Sequence, residues 1–181
     1  MSDFFSSDYH FYHKNVIKYC NRPFNNVEEM NEKIISNHNK LVRPSDTTYM
    51  LGDIAFVSDI QDAVKILSRM NGRKVLISGN HDSRNLKDKS FRDCFEKISP
   101  LLEIKIDGQL IVLCHYSMNV WNKSHHKSFH LFGHSHGSMP DNPNSLSFDV
   151  GVDTNNFYPY TYQQIKDKMA NKIFIPLDHH E

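Results

Sequence analysis

Seven residues of metal-ligand type stand in five short clusters: Asp8-Tyr9-His10, Gly52-Asp53, Gly79-Asn80-His81-Asp82, Cys114-His115 and Gly133-His134-Ser135-His136. Asp8 and Asp53 offer carboxylates, Asn80 an amide oxygen, and His10, His115, His134 and His136 imidazoles, which is enough for two ions rather than one. Oxygen and nitrogen donors, with no thiolate in these loops except Cys114, suit manganese, iron, zinc or nickel rather than calcium or a structural zinc. The chain carries 12 histidines in 181 residues, a large excess of the commonest metal ligand.

Each cluster follows a short apolar run: Phe4-Phe5, Thr48 to Leu51, Val75 to Ile77, Leu110 to Leu113, and His130 to Phe132. These runs are too short for helices, and their continuous apolarity fits strands buried on both faces. In open α/β sheets the loops beyond the carboxyl ends of strands converge on one crevice, so five such loops are expected to meet. Gly52, Gly79 and Gly133 let the chain turn sharply off its strands and bring backbone close to the ions.

Helices are expected between the strands. Asn26 caps one with Glu28 and Glu29 in its first turn and Val27, Met30, Ile34 and Leu41 as its buried stripe. Asp59 caps a second through Ala63, Val64, Ile66, Leu67 and Met70, with Gly72 as its stop. A third covers Phe91 to Ile98 and ends near Pro100. Asp107-Gly108 reads as a hairpin turn between Leu101–Ile106 and Leu110–Leu113. The expected fold is α/β, a single domain over residues 1–181, with two facing mixed β-sheets flanked by helices.

Composition narrows the function classes. Lys+Arg 21 against Asp+Glu 21 gives zero formal charge, which disfavours an extended nucleic-acid or polybasic membrane surface. A hydrophobic content of 39% supports a packed core, and no run of 18 apolar residues spans a membrane. The start has no basic region of a secretory leader, and three scattered cysteines fit a reducing cytoplasm, so a cytoplasmic location is expected.

The ordered set Asp8-x-His10, Gly52-Asp53, Gly79-Asn80-His81-Asp82, His115 and Gly133-His134-Ser135-His136 resembles the calcineurin-like metallophosphoesterases over residues 4 to 155. Ser7 to Asn15 followed by Arg22-Pro23-Phe24 resembles a small single-domain bacterial and phage branch. The resemblance implies that Asp8, His10 and His136 hold one ion, that Asn80, His115 and His134 hold the other, and that Asp53 bridges them. It implies two divalent ions, manganese foremost with iron, zinc or nickel as alternatives, sharing a hydroxide that attacks phosphorus in line. His81 would protonate the leaving oxygen, with Asp82 orienting its ring. Gly52-Asp53 runs on as Ile54-Ala55-Phe56-Val57, without the Asp-Arg-Gly of the protein-phosphatase branch.

His13, Arg22 and Arg84 are candidate substrate contacts, the arginines because a guanidinium forks onto phosphate oxygens. His125, His126 and His130 are expected in the loop before the last motif, placed on the surface or at the pocket rim. His38, Trp121 and Cys114 read as packing residues, and His179 and His180 as part of a charged tail. The expected activity is hydrolysis of a phosphate ester of a small molecule or nucleotide by this dinuclear phosphohydrolase. A nuclease or cyclic-nucleotide phosphodiesterase built on the same centre is the alternative, and a non-catalytic interaction module a further one.

Overall fold

The computed structural model describes residues 1–177, so His179 and His180 lie outside the described residues. The central strands of the first sheet are buried on both faces. Tyr49, Leu51, Val75 and Ile77 face one apolar cluster, whereas Met50 and Leu76 face another. Strands β1 (Asp3–Ser6), β2 (Thr47–Met50), β3 (Arg73–Ile77) and β4 (Lys97–Ser99) run parallel, and β9 (Tyr160–Thr161) lies antiparallel beside β1. The second sheet has the order β5 (Leu101–Ile106), β6 (Gln109–Cys114), β7 (Phe129–Phe132), β8 (Ser147–Asp149), its last three strands parallel.

The sheets face each other across a cluster that includes Phe5, Leu51, Ile77, Leu113, Leu131 and Phe148. The outer face of the first sheet is covered by α1 (Lys14–Tyr19), α2 (Val27–Leu41), α3 (Ile60–Arg69) and α4 (Lys89–Arg92), through Met30, Ile34, Ile66, Leu67 and Phe91. Helix α5 (Tyr162–Ala170) adds Ile165 and Met169 to the intersheet core. The α/β arrangement of two facing mixed sheets flanked by helices is therefore the observed one. No helix among the described residues is long and apolar enough to cross a membrane.

Asn26 caps α2 by accepting the Glu29 N–H at 2.8 Å, and Asp59 caps α3 by accepting the Gln61 N–H at 2.9 Å. Asp107 and Gly108, both at positive φ, form the two-residue β5–β6 turn. Two expectations are corrected. Leu41 is 39% exposed, because α2 ends there and the next residue, Val42, turns into the core instead. The expected helix over 91–98 stops at Arg92. The Glu96 N–H bonds the Lys74 carbonyl at 2.8 Å, and residues 97–99 become β4, covering what would otherwise be an unpaired β3 edge.

Candidate metal centre

Pairing continues past the strand ends and aligns the motif loops. Asp8 N–H donates to the Gly52 carbonyl and His10 N–H to that of Asp53, both at 3.0 Å, so the first two loops run side by side. Gly133 N–H donates to the His115 carbonyl at 2.9 Å, and a parallel bridge between Ser7 and Gly151 joins the two sheets at this edge. Five of the seven ligand-type residues hold left-handed backbone: Asp8 at φ 57°, His10 at 49°, Asp53 at 56°, His134 at 68° and His136 at 49°. Such conformations cost of order 1–3 kcal/mol each for non-glycine residues and persist where the surroundings over-determine them, typically at functional sites.

Two glycines show why no side chain is tolerated between the loops. A Cβ on Gly79 would strike the Asp53 carboxylate and sit 2.9 Å from the His115 ring, and one on Gly133 would collide with Ser7 and Asp8.

The side chains form two groups. Asp8 Oδ1 lies 4.0 Å from His10 Nε2 and 3.8 Å from His136 Nε2, and the three residues could hold an ion together. Asp53, His115 and His134 form the second group, with Asn80 Oδ1 at 3.0 Å from His115 Nε2 and 3.1 Å from His134 Nδ1. Asp53 Oδ2 stands between them, 3.6 Å from both His10 Nε2 and His115 Nε2.

The donor atoms fit cations. Asp8 Oδ1 and His10 Nε2 are buried and have no hydrogen-bond partner, a state that buried polar atoms rarely hold without a ligand. Burial pushes the Asp8 carboxyl up to about 7, against the pull of His136 and His115. Burial, with His136 adding to it, pushes His10 down to about 2, leaving the neutral imidazole that a metal requires. His115 Nδ1 lies 2.6 Å from the Leu51 carbonyl, which as an acceptor assigns the proton to Nδ1 and frees Nε2 for the centre.

His81 sits at the mouth of the site. Its backbone N–H donates to Asp53 Oδ1 at 3.0 Å, its Nε2 lies 4.0 Å from Asp53 Oδ2, and its side chain is 46% exposed. His13 Nδ1 is 3.3 Å from His10 Nδ1, and its ring stacks on Phe56 at 4.0 Å. Phe56 also meets the rings of His10 and His81. Arg84 shares with Phe56, Asn80 and His81 a cavity of about 490 Å³.

Three expectations change. Arg22 does not face the pocket: its side chain is inaccessible, its guanidinium spans both Asp153 oxygens at 2.8 Å, and it donates to the Asp8 and Tyr9 carbonyls at 2.7 and 3.0 Å. With those bonds made, no fork remains for phosphate. Asp82 does not orient the His81 ring: its buried carboxylate accepts the N–H groups of Asp53, Ile54 and Gly79. His130 is neither surface nor rim. It is fully buried on β7, its nitrogens 3.0 Å from the Val112 carbonyl and 3.2 Å from that of Tyr116. His125 and His126 lie in a single 3-10 turn, Ser124–His126, and neither belongs to the two groups. Trp121 packs beside His130, its indole N–H bonding Ser128, and His38 is a buried residue 2.9 Å from the Asn71 carbonyl. Cys114 is half-buried.

Phe56, Asp149 and Asp153 stand outside the sequence motifs and join the site through the fold. Asp149 accepts the N–H groups of Gly137 and Gly151 at 2.9 and 2.7 Å, pinning the last loop. Asp153 accepts from His136 Nδ1 at 2.8 Å. Burial works against a charged His136, but the Asp153 hydrogen bond and the nearby Asp8 charge raise its pKa above the ordinary value.

No family model matches the chain. Among solved structures it is similar to the protein of unknown function AQ665 from Aquifex aeolicus, with a TM-score of 0.71 and 23% identity over 92% of this chain and 98% of that one. A structure described as a novel archaeal phosphodiesterase aligns with a TM-score of 0.53 and 18% identity over 83% of this chain and 84% of its own. Both likenesses are of fold. In sequence, Uncharacterized protein MJ1445 of Methanocaldococcus jannaschii is 36% identical over 170 residues, 88% of this chain and 86% of that protein. A relative this similar over nearly the whole of both chains places the protein: it belongs to the family of MJ1445.

Proposed function

We propose that this single-domain protein is a dinuclear metal-dependent phosphohydrolase acting on a phosphate ester of a small molecule or nucleotide. The observation that carries the reading is the meeting of seven ligand-type residues from five strand ends, with Asp53 Oδ2 equidistant at 3.6 Å from a histidine of each group. The orphaned buried atoms of Asp8 and His10 and the fold likeness to an archaeal phosphodiesterase support it. Asp8, His10 and His136 would hold one divalent ion and Asn80, His115 and His134 the other, with Asp53 shared and manganese the first candidate for both.

Such ions would supply a nucleophile from water at neutral pH and neutralise charge on the phosphate oxygens. The chain's own residues do the rest. His81, beside Asp53 and open to solvent, gives a proton to the leaving oxygen. Asp53 fixes the His81 backbone and Phe56 packs against its ring, so the imidazole meets the ester at a set angle. Asp82 acts one step back, holding the Asp53 and Gly79 backbones together.

The cavity beside His81, lined by Arg84 and Phe56, has room for a sizeable alcohol, which makes phosphodiester cleavage the second reading. Manganese-loaded protein is expected to hydrolyse p-nitrophenyl phosphate, with bis-p-nitrophenyl phosphate sorting monoester from diester preference. Asp53→Asn is expected to remove most of the rate. Equal rates from wild type and Asp53→Asn, or a folded protein that takes up no transition metal, would overturn the proposal.

A further inference from the structure

We infer that Arg22 and Asp153 are positioning residues that assemble one half of the metal centre, the Asp8–His10–His136 half, and leave the other half untouched. The inference rests on the metal-centre reading above and adds to it an asymmetry between the two ion sites.

The ligands of this half come from opposite sheets, Asp8 and His10 from the loop after β1 and His136 from the loop after β7. A single buried ion pair spans the gap. Asp153 Oδ2 accepts His136 Nδ1–H at 2.8 Å and also one Arg22 N–H at 2.8 Å, while Asp153 Oδ1 takes a second from Arg22 Nε. Of the three remaining guanidinium donors, two reach the carbonyls of Asp8 and Tyr9 and one reaches Met30 Sδ. Arg22 thus grips two consecutive carbonyls of the loop in which Asp8 and His10 hold left-handed backbone, opposing its relaxation. Asp153 fixes the His136 tautomer with its proton on Nδ1, which turns the Nε2 lone pair toward Asp8 Oδ1, 3.8 Å away.

Burial makes the device stringent. The Arg22 side chain has no exposed surface and that of Asp153 only 8%, so neither charge can turn to water when its partner is lost. Lysine at position 22 would keep the charge but could not serve four acceptors in one plane. Asparagine at 153 replaces one accepting oxygen with an NH2 donor, which must face either the Arg22 Nε–H or the N–H groups of His136 and Arg22 that share Asp153 Oδ2, and it leaves the buried guanidinium without its counter-charge. In the second half, His115 is held by the Leu51 carbonyl and Asp53 by Asp82, neither of which touches Arg22 or Asp153, while the His134 N–H donates to Asp8 Oδ2 at 2.9 Å.

The test is metal titration by calorimetry of wild type, Asp153→Asn, Asp153→Glu and Arg22→Lys, using manganese alone. It is joined by long-range proton–nitrogen NMR of the histidine rings in the metal-free proteins. Wild type is expected to take two ions with His136 protonated on Nδ1. In Asp153→Asn and Arg22→Lys one ion is expected to weaken roughly ten- to a hundredfold while the other holds, with Asp153→Glu recovering part of the loss. Loss of that preference for Nδ1 in Asp153→Asn would accompany it. Unchanged affinities in both variants, an equal loss of both ions, or a wild-type His136 whose neutral ring carries its proton on Nε2 instead of Nδ1 would overturn the inference. If wild type bound no ion, the proposed function would fall. The NMR of the metal-free proteins would still decide the positioning role, supporting it if His136 loses its Nδ1 proton preference only when Asp153 is changed, and overturning it otherwise.

Discussion

One oxygen of the Asp82 carboxylate accepts the Asp53 N–H at 2.9 Å, although Asp53 stands 29 residues earlier in the chain. The same carboxylate takes the N–H groups of Ile54 and Gly79, so the loops after β2 and β3 are tied by one buried anion. Asp82→Asn keeps the shape but turns one acceptor into a donor facing an N–H. We expect a stability loss of about 1–3 kcal/mol by urea denaturation, because a buried N–H is left unpaired. A loss under about 0.5 kcal/mol, the range of ordinary surface changes, would refute this account of Asp82.

Gly79→Ala tests how closely the two loops approach. The added methyl would strike the Asp53 carboxylate and crowd His115. The expected outcome is a folded protein that has lost the ion shared by Asp53 and His115, read by metal content after dialysis. Two ions retained at wild-type affinity would show that the loops can part without cost to the centre.

Stability should fall in mild acid through His38. Burial lowers its folded pKa from 6.5 to about 4, while the unfolded value stays near 6.5. The unfolded chain therefore binds the proton first as pH drops. The contribution of His38 is fully present above pH 6.5 and is lost as pH falls toward 4, in total on the order of 3 kcal/mol. His38→Gln keeps an N–H for the Asn71 carbonyl and does not titrate. Urea midpoints at pH 7.5 and 5 should converge more in this variant than in wild type, and identical slopes would discount His38.

Most of the site could be read from local pattern because its ligands sit where short apolar runs stop. Gly79-Asn80-His81 and Gly133-His134-Ser135-His136 place donors one to three residues beyond a turn glycine, and parallel pairing then carries them to one edge. Asn26, Asp59 and Asp107-Gly108 were legible for the same reason, since caps and tight turns are local chemistry. Arg22 and Asp153 were not legible as a pair, because 131 residues separate them and nothing nearby distinguishes a buried arginine from one facing phosphate. Asp82 was ambiguous in kind: a carboxylate after a turn can reach a neighbouring ring or the backbone, and only the fold decides. Helix α5 had a readable start in Thr161 and Gln164, whose reciprocal capping box the structure contains. That signal is weak in the sequence because polar residues surround it.

Metal should act on stability as well as rate. An ion that binds only the folded chain stabilises it by about 2.7 kcal/mol when present at 100 times its Kd. Chelator-stripped protein is expected to melt at a lower temperature than manganese-loaded protein, and His10→Ala to lose part of that gain. A melting temperature that does not respond to manganese would argue against binding to the folded state.

His81→Gln separates proton donation from ion binding. Its ring lies 4.0 Å from the shared Asp53 but is 46% exposed and contributes no atom to either ion group, so both ions should still bind. A general acid typically contributes 10²–10⁴-fold, and the need for it grows with the basicity of the departing oxygen. p-Nitrophenolate leaves readily without a proton, whereas a sugar or alkyl alkoxide does not. The variant should therefore lose much more kcat on an alkyl or nucleoside phosphate than on p-nitrophenyl phosphate. An equal loss on both substrates would mean that His81 acts by shaping the site, with the proton coming from elsewhere.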